Sequence, residues 1–526
     1  MTVNGRHTRW LWLLLLIPAV WLTRALWPRQ TPARPAPEDL FASPHVWHLE
    51  LTAAETALNA LRQNPRDDVL LLVQCEGRLY TNVQAHLKGA TGSFRPLDEK
   101  PSWTLKFPAP GLRGYEKIHL NNAAEDPSFL CEWLGSEVFR AAGIPTARTT
   151  HALVSLNGRR LGLYVVKEGY NRPWLERHYG PTTGPFYEPV QAQDVTGRLE
   201  IVFGPAQDTR AGLRELAAAA AEPDLQKRWE HLGVFLDREK FATFLAGEVL
   251  LGHRDGYGLA RNNYRLFYDA AARRAHFIPH GMDTLLGTPD FPWRPYWRGL
   301  VARAFMETPQ GTTLYRQRLA QLLQTHFQPG DWTPRLQEQA RRLAAELPRA
   351  EARPLLQEAE KLCQRLEQRY ASLQRQLAEP LPAPLVFSNG LARLTGWRAV
   401  DVPAGGRLET HRAPDGRPAL MIQAGPRTAA SWRTTVWLEP GMYVFAGEVV
   451  LQGVAPLENV RQQGAGLAVQ DYPQPPHKLT GDVRGQHLEV PFTIPPPGRS
   501  LELRCELFAR SGAAWFVLET LHLRKR

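Results

Sequence analysis

The chain has 526 residues, of which 43% are hydrophobic and 22% are charged. This composition is ordinary for a globular protein and excludes general disorder, while the length exceeds what one hydrophobic core usually supports. Two or three domains are therefore expected. The formal net charge of +11 favours anionic partners such as nucleotides, acidic polymers or lipid headgroups. No run of Lys and Arg resembles a nucleic-acid-binding arm, so no nucleic-acid partner is predicted.

The N-terminus carries a targeting pattern. Arg6, His7 and Arg9 precede an apolar run over 10–22. A basic lead followed by an apolar run is typical of an export signal. The run is shorter than the ~20 residues of a full membrane span, and no small-x-small cleavage site follows it. We predict a signal anchor rather than a cleaved signal peptide over 1–27, a Pro-rich linker over 28–44, and an extracytoplasmic, membrane-anchored protein.

The four cysteines do not indicate a zinc site. They are Cys75, Cys131, Cys363 and Cys505, and none of them shares a CxxC spacing with another. The sequence leaves open whether any of them pair.

Strand patterns dominate the first part of the chain. Alternating or apolar segments predict strands over 48–51, 69–73, 80–87, 103–107 and 117–120. Asp126 or Ser128 is placed to cap a helix that runs through Arg140. A hairpin over 152–167 is predicted to turn at Asn157-Gly158, because Asn-Gly suits a tight turn.

Helical patterns follow. They cover 210–252 and 301–377, with a strand pair over 262–268 and 274–278 between them. The second helical stretch is predicted to break near Pro348 and Pro354. The Pro-rich segment 379–384 marks a domain boundary, beyond which short alternating segments predict an antiparallel β-sandwich. The predicted fold class is α+β, with one domain over 45–378 and the sandwich over 385–526.

A series of acids and amides points to phosphoryl-transfer chemistry. Asp255 lies on a loop, Asn262 and Asn263 follow, and Asp283 comes after the strand pair. Phosphoryl transfer needs one carboxylate to orient the attacking group, and further carboxylate and amide oxygens to hold Mg²⁺. His253-Arg254-Asp255 also matches the protein-kinase triplet, although the first Asn lies seven residues after the Asp rather than five. The alternative is structural: a turn at Asp255, two loop-closing amides and a cap at Asp283.

Two lysines upstream are candidates for nucleotide contacts. Lys88 begins a loop with two glycines, and Lys106 lies on the next strand. A loop with backbone amides together with a strand lysine suits nucleotide phosphates. Glu132, on the following helix, is a candidate partner for a strand lysine. The alternative is a surface hairpin with two solvated lysines.

These motifs, taken in order, resemble the CotH kinase family over about 45–375. The matching segments are Lys88-Gly89, Leu105-Lys106-Phe107, Leu120-Asn121-Asn122, Asp126-Pro127-Ser128, the hairpin ending at Glu168, Asp255-Gly256-Tyr257, Asn262-Asn263-Tyr264 and Ile278-Pro279 with Asp283. The resemblance implies an atypical kinase-like domain that uses ATP and Mg²⁺ or Mn²⁺.

The resemblance also implies roles for individual residues. Asp255 would be the catalytic acid of the loop, and Asn262 or Asn263 would bind metal together with Asp283. Lys106 with Lys88 would contact nucleotide phosphates, and the strand bearing Glu168 would lie near the nucleotide. The implied reaction is phosphate transfer to Ser or Thr hydroxyls of a surface or secreted protein.

Two departures from the family pattern leave room for a variant chemistry or an inactive relative. Gly281 stands where the family often has a second acid, and Cys131 stands where it often has a basic residue. The alternative is an inactive surface scaffold or adhesion protein with a kinase-like fold. A third possibility is transfer to a small molecule or glycan.

The C-terminal strands carry a second resemblance. Segments around Trp437, Gly464, Cys505 and Trp515 resemble carbohydrate-binding-like jelly rolls. This resemblance implies polysaccharide as a possible partner.

Overall fold

A computed structural model describes residues 39–41, 45–90, 92–182, 184–205, 208–379, 385–400, 405–457, 463–473, 478–495 and 498–526. The predicted signal anchor over 1–27 and most of the predicted linker over 28–44 lie outside the described residues. Within the described ranges, no helix is long and apolar enough to cross a membrane.

The chain divides into two compact units. The first comprises Met1–Ala124 and Arg148–Tyr170, and the second comprises Glu125–Ala147 and Asn171–Arg526. Secondary structure is mixed, with helices and sheets. The predicted domain boundary over 379–384 falls largely outside the described residues, so the predicted domain limits stay predictions.

The first unit is a closed sheet of seven strands in the order β1-β2-β3-β4-β5-β7-β6. Its elements are β1 (Val46–Thr52), α1 (Glu55–Gln63), β2 (Val69–Cys75), β3 (Arg78–Lys88), β4 (Ser102–Lys106), β5 (Lys117–Asn121), β6 (Thr149–Leu156) and β7 (Arg159–Glu168). Neighbouring strands are antiparallel except β1 and β6, whose parallel pairing from Val46 with His151 to Leu51 with Leu156 closes the sheet. The predicted strands and the Asn157 hairpin are confirmed.

Alternation along these strands explains why the sheet closes around a core. In β2, Leu71 and Val73 are buried, whereas Leu70 is 59% exposed. Because side chains of a strand alternate between its two faces, one face of every strand can supply the same interior cluster. That cluster contains Leu105 of β4 and Ile118 of β5.

The second unit begins with helices around a four-stranded sheet in the order β11-β10-β8-β9. Its elements before the C-terminal strands are α2 (Cys131–Ala141), α3 (Arg172–Tyr179), β8 (Phe186–Pro189), β9 (Leu199–Phe203), α4 (Ala211–Ala221), α5 (Leu225–Phe235), α6 (Arg238–Leu250), α7 (Tyr257–Ala260), β10 (Tyr264–Asp269), β11 (Arg274–Pro279), α8 (Leu300–Glu307), α9 (Pro309–Thr325), α10 (Pro329–Ala345) and α11 (Arg349–Ala378).

Two details of the helices differ from the sequence prediction. Pro348 does separate α10 from α11, but Pro354 lies inside α11 and does not break it. It sits in the second turn, where the Ala350 carbonyl loses its helical donor while the rest of the helix continues. The helix after Asp126 starts later than predicted, at Cys131, whose N–H donates to Asp126 Oδ2 at 2.8 Å.

The C-terminal strands form two antiparallel sheets that share one cluster of buried side chains. The first contains β12 (Leu391–Arg393), β14 (Arg407–Arg412), β15 (Pro418–Gln423), β17 (Gly441–Ala455), β19 (Gly481–Ile494), β21 (Ser511–Val517) and β22 (His522–Lys525). The second contains β13 (Arg398–Val400), β16 (Thr428–Leu438), β18 (Gly464–Val469) and β20 (Arg499–Ala509).

A short 3₁₀ turn over Leu518–Thr520 separates β21 from β22. The Thr520 hydroxyl donates to the Val517 carbonyl and accepts the Glu448 N–H, and these two hydrogen bonds hold the turn.

Candidate active site

The loop that carries Asp255 brings three predicted residues together. It follows α6 and ends where the one-turn helix α7 begins. Asp255 is half-buried, and its Oδ2 accepts hydrogen bonds from Asn262 Nδ2 at 2.7 Å and from Asn263 Nδ2 at 2.9 Å. The Asn263 backbone N–H also donates to the Asp255 carbonyl at 2.8 Å. One oxygen of this carboxylate is thus fixed by two amides, and a carboxylate held in one orientation is what general-base catalysis requires.

Gly281 lies directly against one of these amides. Its φ is +57°, in the left-handed region, and its carbonyl accepts from Asn263 Nδ2 at 3.0 Å. A Cβ at position 281 would lie 2.5 Å from Asn263 Cγ and 2.7 Å from its Oδ1. An acid at this position, as the family pattern would have, therefore requires Asn263 to move.

Asp283 follows two residues later on the same loop and is half-buried. Across the described ranges, no group of three or more His, Cys, Asp or Glu side chains is placed to hold a metal ion. The predicted ligand set of Asn262, Asn263 and Asp283 consists of oxygen donors with one carboxylate. Mg²⁺ is often held by one or two carboxylates and completes its coordination with water and phosphate, so the chemistry of this donor set fits the ion.

His253 joins the two loops. It is fully buried, and its Nε2 donates to the His280 carbonyl at 3.0 Å. Burial lowers the pKa of His253, which favours the neutral imidazole. Glu132, which the sequence suggested as a partner of a strand lysine, accepts the Met282 N–H at 3.0 Å. Both side chains therefore hold the backbone of the loop that leads to Asp283.

Glu248 is a structural residue that the sequence analysis missed. It is fully buried on α6, where its Oε1 accepts from the Tyr257 N–H at 2.7 Å and its Oε2 from the Gly258 N–H at 2.9 Å. Burial raises the pKa of Glu248 to about 8. A Cβ at Gly256 would lie 2.3 Å from Glu248 Oε1, so only glycine permits this approach. An acid inside the otherwise apolar run of α6 was the available signal.

Asp194 and Tyr257 continue this support. The Tyr257 hydroxyl donates to Asp194 Oδ1 at 3.0 Å and accepts the Val301 N–H at 3.0 Å. Asp194 Oδ2 accepts the Leu300 N–H at 2.7 Å, at the start of α8. The residues after Asp255 are thereby tied to another helix.

Arg369 supports the other end of the loop. This fully buried side chain of α11 donates from Nη2 to the Val249 carbonyl at 2.6 Å and from Nε to the Leu250 carbonyl at 3.3 Å. These are the last carbonyls of α6, where a cation is favourable because the helix dipole is negative there. Burial lowers the pKa of Arg369 to about 10, so the side chain is still charged at neutral pH.

In the first unit, Lys88 and Lys106 lie on the outer face of the sheet. Register pairs Lys88 with Ser102 and Lys106 with Gln84, so the two lysines are four rungs apart, about 13 Å along the strands. Lys106 Nζ contacts Asp68 Oδ2 at 2.7 Å, and Lys88 Nζ donates to Asn121 Oδ1 at 2.7 Å.

The carboxylate that pairs with Lys106 has a second partner. His86 Nδ1 lies 2.7 Å from Asp68 Oδ1. Partial burial would raise the pKa of Asp68, but the hydrogen bonds from His86 and Lys106 outweigh it and lower that pKa. The carboxylate therefore stays ionised and holds Lys106 as an ion pair on the surface.

Glu168 lies on the opposite face. It pairs in register with Ile118, which pairs with Leu105, and both of those side chains belong to the interior cluster. Its carboxylate is buried against Arg148, with Oε2 3.3 Å from Nε. Arg148 also contacts Asp39 Oδ2 at 2.7 Å and the Tyr115 hydroxyl. The sheet therefore brings Lys88 and Lys106 to one face and Glu168 to the other.

Lys167 was not singled out from the sequence. It is 1% exposed and pairs in register with His119 on the same face as Lys106. Lysine is rarely so buried without a partner or a function. A lysine that ends the apolar run of β7 was the available signal.

Comparison with known proteins identifies one family. Residues 86–373, more than half of the chain, match the family described as CotH kinase protein. Inner spore coat protein H of Bacillus subtilis is 23% identical over 207 residues, which cover 36% of this chain and 55% of that protein. Invasin CotH2 of Rhizopus delemar is 22% identical over 287 residues, 47% of each chain. The chain thus spans about half the length of the curated relatives it matches.

One solved structure is similar over a wide range. The Helicobacter pylori proinflammatory kinase CtkA is 8% identical and aligns over 60% of this chain and 97% of its own, with a TM-score of 0.25. An overlap this loose carries no inference about the fold or the activity of this chain.

Proposed function

Because this chain belongs to the CotH kinase protein family, we propose that it is an ATP-dependent phosphotransferase acting on Ser or Thr hydroxyls of a protein. The observation that carries the proposal is the Asp255 carboxylate, whose Oδ2 is held by the amides of Asn262 and Asn263. General-base catalysis needs a carboxylate in a fixed orientation within reach of the hydroxyl proton. The proposal includes an atypical kinase-like fold for 45–378.

The residues of the site would divide the work as follows. The acceptor oxygen bonds to the γ-phosphorus, ADP leaves, and the hydroxyl proton passes to Asp255 Oδ1. Bound Mg²⁺ or Mn²⁺ would neutralise phosphate charge, with Asn262, Asn263 and Asp283 as its protein ligands. Lys106 and Lys88 would contact the phosphates, and Glu168 would orient Arg148 on the other face of the sheet.

The relatives support a location outside the cytoplasm. One is named as a spore coat protein and the other as an invasin, and both names imply a surface protein. We propose that this chain acts outside the cytoplasm, held to a membrane by its N-terminal segment, on a surface or secreted acceptor. The C-terminal strands would form a carbohydrate-binding-like sandwich that recognises polysaccharide.

The test uses the purified full chain with radiolabelled ATP and either Mg²⁺ or Mn²⁺. We expect metal-dependent labelling of the protein or an added acceptor, and Asp255→Asn should reduce the rate by about 100-fold or more, since it removes the base. Asp283→Asn should reduce the apparent metal affinity. Asp98→Asn, at an exposed carboxylate of the first unit, is the matched control and should leave labelling unchanged.

A second function is favoured by one observation. Gly281 supplies no acid, and its backbone is closely packed against Asn263, so the site has fewer carboxylates than the family pattern. An inactive scaffold or adhesion protein would follow from such a loss. Absence of labelling with either metal, together with calorimetry that detects no nucleotide binding, would replace the kinase proposal with this one.

A further inference from the structure

A cavity of about 200 Å³ lies in the second unit, and no residue of the Asp255 loop belongs to its lining. One wall comes from the segment between Pro292 and Glu307, and the other from the second C-terminal sheet and its loops, including Asp471 and Arg499. Pockets for drug-sized ligands usually measure about 300–1,000 Å³, so this cavity suits a ligand with a single ring.

The charges of this cavity do not balance. Three arginines and two acids line it, and two of those arginines have acidic partners. Arg499 contacts Asp471 at 3.1 Å, and Arg303 lies 3.9 Å from Glu307. Among the described residues, Arg294 has neither a hydrogen bond nor an ion pair, although it is only partly exposed.

This lone guanidinium keeps its charge. Burial lowers the pKa of Arg294, but arginine remains protonated under any ordinary condition. A partly buried cation without a counter-charge is costly, and a bound anion removes the cost. Glu307 also binds Arg228, which lies outside the lining, so positive charge remains in excess around the cavity. A planar carboxylate can pair with the single Arg294 guanidinium through two parallel hydrogen bonds.

The cavity also offers a surface for a ring. The side chain of Tyr296 is 42% exposed, and the Arg499 guanidinium lies 4.9 Å from its ring centroid, which helps to fix the ring in place. Pro292 and Met306 add apolar surface beside it. The Arg499 guanidinium covers one face of the ring, so a flat or ring-shaped ligand would contact the other face or the edge of Tyr296.

We propose that this cavity binds a small monocarboxylate with a six-membered ring, whose carboxylate pairs with Arg294 and whose ring lies on Tyr296. An acidic sugar and an aromatic acid share this chemistry. The proposal does not depend on kinase activity.

Calorimetry on the purified full chain tests it with two matched pairs of probes. D-galacturonate is compared with D-galactose, and benzoate with benzyl alcohol. We expect at least one acid to bind at least about tenfold more tightly than its neutral partner. The pair that shows the difference identifies the ligand as a sugar acid or an aromatic acid. Inorganic phosphate should bind more weakly than that acid.

Two variants locate the binding. Arg294→Gln should weaken binding of the acid by about tenfold or more, whereas Arg294→Lys should retain part of it. Arg298→Gln is the matched control, because Arg298 is exposed on the same segment and does not line the cavity. Thermal unfolding of each variant checks that it folds. The proposal is overturned if neither acid binds with a Kd below about 10 mM, if phosphate binds best, or if a folded Arg294→Gln binds as the wild type does.

Discussion

The Asp255 loop and the outer face that carries Lys88 and Lys106 are both candidates for the same chemistry, but they are built differently. The loop is held by two buried side chains. Glu248 accepts the Tyr257 N–H after the loop, and Arg369 donates to the Val249 carbonyl before it. Lys106 is 39% exposed and has an ion pair with Asp68, which is itself 40% exposed.

This difference matches two different tasks, which are to hold a catalytic group in one orientation and to attract a charged ligand. A general base works only in a fixed orientation, so buried side chains that act through the backbone are useful around Asp255. A lysine that contacts phosphate acts as a point charge on a flexible stem and needs no such support. Substitutions around Asp255 should therefore change stability, whereas substitutions of the outer lysines should change ligand affinity alone.

The largest effect is expected at Arg369. Arg369→Leu leaves the Val249, Leu250 and Pro289 carbonyls without their donor inside the protein, so we expect the free energy of unfolding to fall by about 3–5 kcal/mol. Urea unfolding followed by circular dichroism measures it. Arg375→Leu is the matched control on the same helix, because Arg375 is 66% exposed, and it should cost less than about 1 kcal/mol.

Similar losses in the two variants would contradict this view of the loop. They would mean that the buried guanidinium contributes no more than a surface ion pair. The loop would then owe its position to other contacts, and the contrast with the outer face would disappear.

Ionisation of Glu248 should make the free energy of unfolding depend on pH. Its pKa is about 8 in the folded protein and about 4.5 when exposed, because burial favours the neutral carboxyl. The folded state therefore binds more protons between these values, so this contribution to stability is complete below pH 4.5 and is lost as the pH rises to about 8. The limiting slope within that window is about 1.4 kcal/mol per pH unit.

The measurement is the free energy of unfolding across that window for the wild type and two variants. Glu248→Gln cannot ionise, so its free energy of unfolding lacks this pH dependence. The stability advantage of the wild type over this variant should therefore shrink as the pH rises. Glu519→Gln, at an exposed carboxyl, should follow the wild type at every pH. A constant difference between Glu248→Gln and the wild type would show that Glu248 does not titrate in this range.

The sequence predicted features that depend on neighbours along the chain. The Asn157 hairpin, the strands β10 and β11 and the grouping of Asn262 and Asn263 near Asp255 all arise within a few residues of one another. The closed sheet was not predicted, because its closure depends on the parallel pairing of β1 with β6, about a hundred residues apart.

The residues that hold the loops of the candidate site could not be predicted for the same reason. Arg369 reaches the Leu250 carbonyl across 119 positions of the chain, and Glu132 reaches the Met282 N–H across 150. Nothing in local spacing identifies such partners. Only their burial marks them, as charged residues within helices whose other inward positions are apolar.

The smallest effect on stability is expected at Lys106. An ion pair in which both partners are exposed contributes less than about 1 kcal/mol, so Lys106→Met should unfold within that margin of the wild type. Its effect should fall on nucleotide binding instead, with an affinity for ATP about tenfold lower by calorimetry, because the proposed contact with phosphate is lost. Added salt should reduce the affinity of the wild type more than that of the variant, since the contact is exposed to screening.

Arg62→Met removes another exposed cation, paired with Asp98 at 3.2 Å, and should change neither the stability nor the affinity for ATP. A Lys106→Met variant that is strongly destabilised but binds ATP normally would reverse the comparison, because the outer lysine would then support the fold and not the ligand.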